Sequence, residues 1–141
     1  MVAHRTPGAG SFAAACAEST ANGIGPVAGR RLVRVLDLID NDRLMAEYRR
    51  LHAPGAVWPE VIAHIRDTGV LDMEIWCTGN RLVMIMTVIE SFPRDVPVPA
   101  SVAAWERLMD TFQRRLPGTP AGVKWRAMTS VFALEGAGEP S

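Results

Sequence analysis

The stretch from Val70 to Ile89 limits what this chain can fold into more than any other part of it. From Val70 to Thr78 the residues alternate: Leu71, Met73, Ile75 and Cys77 take one side of an extended backbone, and Asp72, Glu74 and Trp76 the other. Gly79-Asn80 is a hairpin turn pair, and the run from Leu82 to Ile89 is almost wholly apolar. The two segments predict a β-hairpin whose second strand is covered on both faces and is therefore central. Pairing Thr78 with Arg81 puts Leu71, Met73, Ile75, Cys77, Leu82, Met84 and Met86 on one face. Asp72, Glu74, Trp76, Val83, Ile85 and Thr87 fall on the other.

The flanking segments extend this hairpin into a sheet with helices. Arg30 to Ile39 carries Leu32, Val33, Val35, Leu36, Leu38 and Ile39 on both parities, which predicts another covered strand. Asp40 or Asn41 can cap a helix with Leu44, Met45, Tyr48 and Leu51 on its inner stripe. Pro54 and Gly55 break that helix, and Pro59 opens a second one with Val61, Ile62 and Ile65 inward and Gly69 as its stop. His64 falls at the edge of this stripe and is expected to face solvent. Phe92 to Pro99 is a proline-rich loop, and Ser101 is expected to cap a helix presenting Val102, Trp105, Leu108, Met109 and Phe112. After the Leu116 to Gly122 loop, Lys124 to Leu134 is expected to form a last strand.

With the broken helix taken as one unit, the order is β-α-β-β-α-β, the ferredoxin-like α+β sandwich. Its helices cover one face of the sheet. The opposite face carries Trp76, Val83, Ile85 and Ile89 and is too apolar to lie bare in water. A second copy packing sheet against sheet would cover it, giving a homodimer built as a dimeric α+β barrel.

Composition removes several classes of function. At 141 residues with 48% hydrophobic and 21% charged side chains, the chain suits one globular domain. The formal net charge is +0 and no basic stripe is present, so no nucleic-acid partner is expected. No apolar run approaches the roughly 18 to 20 residues of a membrane helix, and no membrane partner is expected. Cys16 and Cys77 lack metal or disulfide spacing, which fits a cytoplasmic protein. Residues 1–29, rich in Ala, Gly, Ser and Thr, are expected to be a disordered extension, since the apolar run Phe12 to Ala17 is too short for an export signal. The domain is then 30–134, followed by a tail at 135–141. The chain holds no glycine-rich phosphate loop, no nucleophile elbow and no metal-spaced His/Cys cluster, which argues against nucleotide, hydrolase and metalloenzyme readings, and no metal is expected.

One stretch has the makings of a site. Tyr48 and His52 are four residues apart, so a helix stacks them on one face, turned toward the sheet. The pair can be core packing. It can also be a phenol and an imidazole converging on a small polar molecule, the imidazole passing protons near neutral pH. Asp72 and Glu74 fall on the opposite sheet face and suit an interface between subunits. Most of the four tryptophans should be core, although indoles also stack on sugar rings. The seven methionines read as core filler.

Tyr48-x-x-x-His52, Trp58-Pro59-Glu60, the turn at Gly69, Trp105 and Val131-Phe132-x-Leu134 together resemble the L-rhamnose mutarotase family, over about Arg31 to Leu134. Asp72-Met-Glu-Ile75, Gly79-Asn-Arg-Leu82, Met84-Ile-Met86 and Gly122-x-Lys124-Trp125 are similar to the branch associated with L-fucose. The resemblance implies a cofactor-free dimeric barrel that interconverts the α and β anomers of a 6-deoxyhexose. It implies His52 as proton donor and Tyr48 as a sugar contact, with Trp105 as a stacking wall. Met73 stands where the family's rhamnose enzymes have a tyrosine, and only Trp105 remains of a tryptophan pair, followed by Glu106. Met73 and Trp125 are expected in the pocket lining, with L-fucose the favoured substrate and L-rhamnose second. Fold analogy leaves two other readings open, a cofactor-free monooxygenase and a non-catalytic binding module.

Overall fold

Alternating apolar residues at Leu32, Leu36 and Leu38 anchor β1 (Arg30–Leu38) in the middle of the sheet. The computed structural model describes residues 29–135. The expected N-terminal extension and C-terminal tail lie outside those residues, apart from Gly29 and Glu135, as does Cys16. β1 leads into α1 (Asp42–Leu51) and α2 (Pro59–Asp67), the hairpin β2 (Val70–Thr78) and β3 (Arg81–Val88), then α3 (Ala100–Asp110) and two short strands, β4 (Gln113–Arg114) and β5 (Arg126–Ala127). The antiparallel sheet runs β2-β3-β1-β4, with β5 also on β1. This is the ferredoxin-like strand order.

The hairpin register is the expected one. Thr78 pairs with Arg81, Cys77 with Leu82, Ile75 with Met84 and Met73 with Met86. Leu82, Met84, Met86 and Val88 are buried under the helices against Val61, Val102, Trp105 and Met109. Leu71 departs from expectation. A bulge between Val70 and Asp72 lets Val70 pair with Val88 and take the buried position, while Leu71 is 54% exposed. One inserted residue reverses the parity of a strand, so alternation counted from Thr78 fails at its far end.

Local signals explain the helix ends. The Asn41 side chain accepts the Leu44 N–H at 2.9 Å and caps α1. Pro59 opens α2, where its missing N–H costs nothing. The expected Ser101 cap is absent: α3 starts two residues earlier, after Pro99, with no side-chain cap. Asp37 and Arg81 clamp β1 to β3 with two hydrogen bonds of 2.7 and 3.0 Å.

The last strand differs most. Of Lys124 to Leu134, only Arg126–Ala127 pairs with β1, opposite Val35 and Arg34, extended by the Met128 N–H donating to Val33 O. β4 holds the rest of that edge, opposite Leu38 and Asp37. Pro117, Gly118, Pro120 and Gly122 bow the intervening chain off the sheet, so one strand becomes two fragments. Val131, Phe132 and Leu134 are left largely exposed.

Candidate active site

A cavity of about 310 Å³ lies between the helices and the covered sheet face. That is near the lower end of the size range of small-molecule sites. Tyr48 and His52 from α1, Met73 from β2, Trp105 from α3, and Trp125 before β5 all line it, so the five expected site residues converge.

The α1 wall follows from helix geometry. Tyr48 is buried, and its ring lies 4.2 Å from that of His52, centre to centre. His52, at the C-terminal cap of α1, turns Nδ1 back to the Tyr48 carbonyl at 2.8 Å. A carbonyl only accepts, so this contact puts the proton on Nδ1 and leaves Nε2 with its lone pair. Trp105 meets the His52 ring edge-on at 5.5 Å and is itself backed by Trp58 at 5.0 Å. The imidazole is thus fixed in tautomer and orientation.

Burial sets the protonation states. The Tyr48 phenol is pushed up to about 12 by desolvation, opposed by a hydrogen bond from the Gln113 side chain, so it remains a donor at neutral pH. Desolvation lowers the His52 pKa, opposed by its bond to the Tyr48 backbone. Desolvation raises the Glu106 carboxyl, opposed by the nearby Lys124 ammonium. Lys124 bridges Glu106 at 3.0 Å and Asp110 at 2.9 Å. The cavity therefore combines a neutral imidazole, a protonated phenol and a paired carboxylate on largely apolar walls. Such a set can bind hydroxyls and move a proton between neighbouring oxygens.

Two lining residues, His64 and Gln113, escaped the sequence reading. His64, expected in solvent, is 3% exposed, and its Nε2 is buried without a partner. α2 is wedged between α3 and β2, and its inner stripe is Val61, His64, Ile65 and Thr68, at i, i+3, i+4 and i+7. The sequence carries that periodicity, but the apolar Ile62, 41% exposed, masks it. Gln113 sits on the unanticipated β4 and keeps a buried, unpartnered Oε1. Glu106 stood out in the sequence only as a departure from a tryptophan pair. Asp72, expected on the far face, pairs with Thr87 there, yet the bulge also brings it to the cavity rim beside Leu71. Glu74 does stay outside, accepting the Trp76 indole N–H at 2.7 Å.

Fold and cavity together define a small α+β protein with a cavity under its helices that suits a compact polar molecule and is lined by acid–base groups. The sequence model of the L-rhamnose mutarotase family matches residues 31–134, and the chain belongs to that family. An L-fucose mutarotase from Xanthomonas campestris pv. campestris is 46% identical over 111 residues, covering 74% of this chain and 88% of that protein. The crystal structure of an L-rhamnose mutarotase from Formosa agariphila superposes with a TM-score of 0.54 at 20% identity, covering 74% of this chain and 97% of that one. The structural likeness establishes the shared fold.

Proposed function

We propose that this protein is a sugar mutarotase, an isomerase that interconverts the α and β anomers of a 6-deoxyhexopyranose, with L-fucose preferred and L-rhamnose second. The observation that carries the reading is the His52 imidazole, held by its Nδ1 bond to Tyr48 with Nε2 left basic, in a chain of this family. The 46% identity to an L-fucose mutarotase supports the sugar. Family membership speaks against the monooxygenase and the non-catalytic module.

In this reading the sugar lies against Trp105 with its anomeric end at His52. His52 Nε2 takes the proton of the anomeric hydroxyl, and the resulting imidazolium delivers it to O5 as the C1–O5 bond breaks. The Tyr48 phenol donates a hydrogen bond to the sugar oxygens and steadies the developing charge. Rotation about C1–C2 turns the other aldehyde face to the C5 hydroxyl, and reclosure reverses the proton transfers. Met73 and Trp125 supply apolar wall. General acid–base assistance of this kind is typically worth about 10²- to 10⁴-fold.

Saturation-transfer NMR on L-fucose and L-rhamnose is the direct test. Anomer exchange should accelerate in proportion to protein concentration; exchange at the buffer rate for both sugars would overturn the proposal. We further infer that a second copy covers the outer sheet face, where Trp76 is 62% exposed. Among the described residues no helix is long and apolar enough to cross a membrane. A cytoplasmic location rests on the cysteine usage.

A further inference from the structure

The polar groups above account for proton movement at C1 and O5 and leave one charged element of the cavity unused. Glu106 follows Trp105 on α3 and lines the cavity with its side chain 16% exposed. Lys124, whose side chain is 11% exposed, donates to Glu106 Oε1 at 3.0 Å and lies 2.9 Å from Asp110. Glu106 Oε2 has no hydrogen-bond partner among the described residues. Taking a carboxylate and an ammonium out of water is costly, and an apolar pair would often fill the same space with less penalty. A carboxylate also has about four lone-pair sites, of which the ammonium occupies one. The arrangement leaves a fixed acceptor on the α3 wall with nothing to accept from in the protein.

Resting on the mutarotase reading, we infer that Glu106, anchored through one oxygen by Lys124, accepts a ring hydroxyl of the sugar away from the anomeric carbon and thereby sets which 6-deoxyhexose the cavity takes. Trp105 and Glu106 are adjacent, and the Trp105 ring meets His52 at 5.5 Å, so a sugar with C1 at His52 extends its remaining hydroxyls along α3. L-Fucose and L-rhamnose differ in configuration only at C2 and C4, both hydroxyl-bearing. An acceptor on a largely apolar wall discriminates at such a position, because the wrong epimer covers it and leaves it unpaired. Lys124 is the positioning residue: it holds Glu106 in place and favours its ionised form, while Asp110 gives Lys124 a second counter-charge.

The charge state has a signature of its own. Besides Lys124 and Asp110, the groups facing Glu106 across the cavity are Tyr48 and His52 on α1, His64 and Arg66 on α2, and Asp72 on β2. Burial raises the Glu106 pKa, and Lys124 is the main force lowering it. Without the ammonium, Glu106 protonates at higher pH, loses its charge, and turns one acceptor oxygen into a donor.

The test measures anomer exchange by saturation-transfer NMR at several concentrations of L-fucose, L-rhamnose, 2-deoxy-L-fucose and 4-deoxy-L-fucose. The natural protein should lose roughly 10- to 100-fold in kcat/KM on one of the two deoxy sugars, the range of a charged hydrogen bond. Glu106→Gln should lose a similar factor on L-fucose, mainly through KM, and should no longer distinguish that deoxy sugar from L-fucose. Lys124→Met should lose L-fucose activity at a higher pH than the natural protein does as the solution is acidified, and regain it as pH rises. Lys124→Arg should restore the natural profile, and Glu106→Gln/Lys124→Met should lack the new pH limb. Equal use of both deoxy sugars and L-fucose by the natural protein would overturn the inference without recourse to any variant. So would a folded Glu106→Gln with unchanged sugar preference. No acceleration of any sugar by the natural protein would instead sink the mutarotase reading itself.

Discussion

At the scale of single residues, His52 shows how ordinary helix geometry turns a basic imidazole nitrogen toward a cavity. The end of α1 leaves its last carbonyls without helical partners, and the Tyr48 carbonyl takes the His52 Nδ1–H. Burial holds the imidazole pKa below 6.5, so the ring is neutral at about pH 7 and charges only as pH falls through its lowered value. Its Nε2 lone pair is therefore available at neutral pH and lost in acid. Exchange should hold level from neutral pH upward and decline on the acid side of 6.5, the ordinary value for histidine. His52→Gln, with circular dichroism unchanged, should lower kcat by about 10²- to 10⁴-fold and abolish that acid decline. Retained activity with the same pH profile would remove His52 from the mechanism. Tyr48 and His52 were legible because four-residue spacing is a direct statement about a helix face. Gln113 was not, since nothing local marks a two-residue edge strand after a helix.

At the scale of elements, register was the most legible quantity. Alternation and the Gly79-Asn80 turn between them dictate the pairing of β2 with β3 down to Asp72. Beyond it the bulge intervenes, and a bulge leaves no compositional trace in a strand this apolar. Gly69 explains how the chain enters β2 from that side. Its φ is +112°, and a Cβ there would lie 2.8 Å and 2.9 Å from the Ile89 side chain. Gly69→Ala should thus be destabilising by about 1–3 kcal/mol, read as a lower urea midpoint with an unchanged slope. A midpoint equal to that of the natural protein would show that Ile89 and the turn relax freely. The final strand was the least legible element, because proline and glycine locate a loop without giving the place where the chain rejoins the sheet.

For the whole molecule, the governing fact is a sheet with helices on one side only. The opposite face presents Trp76 at 62% exposure, and the segment after β5 exposes Val131, Phe132 and Leu134. Light scattering should give twice the 15.3 kDa chain mass at micromolar concentration, and Trp76→Lys should shift the value toward one chain. A single-chain mass for the natural protein would show that this face needs no partner. The strand order and the covered face were legible from hydrophobic pattern, because burial leaves its period in the sequence. The cavity's polar complement was less so, since His64, Gln113 and the Glu106–Lys124 pair acquire meaning only when separate elements meet.

β1 carries β4 and β5 on one edge, and the chain between them, Arg115 to Trp125, leaves the sheet and returns to it. Gln113 and Trp125 thereby reach the cavity from the two ends of one excursion, with Lys124 just before the return. Most of its residues from Arg115 to Gly122 are exposed, and closing a longer loop costs little extra entropy. The excursion can therefore grow or shrink between its two fixed ends while the hairpin and helices stay as they are. This gives the fold a region where insertions can change the outer surface beside the cavity while Gln113, Lys124, Trp125 and His52 keep their places.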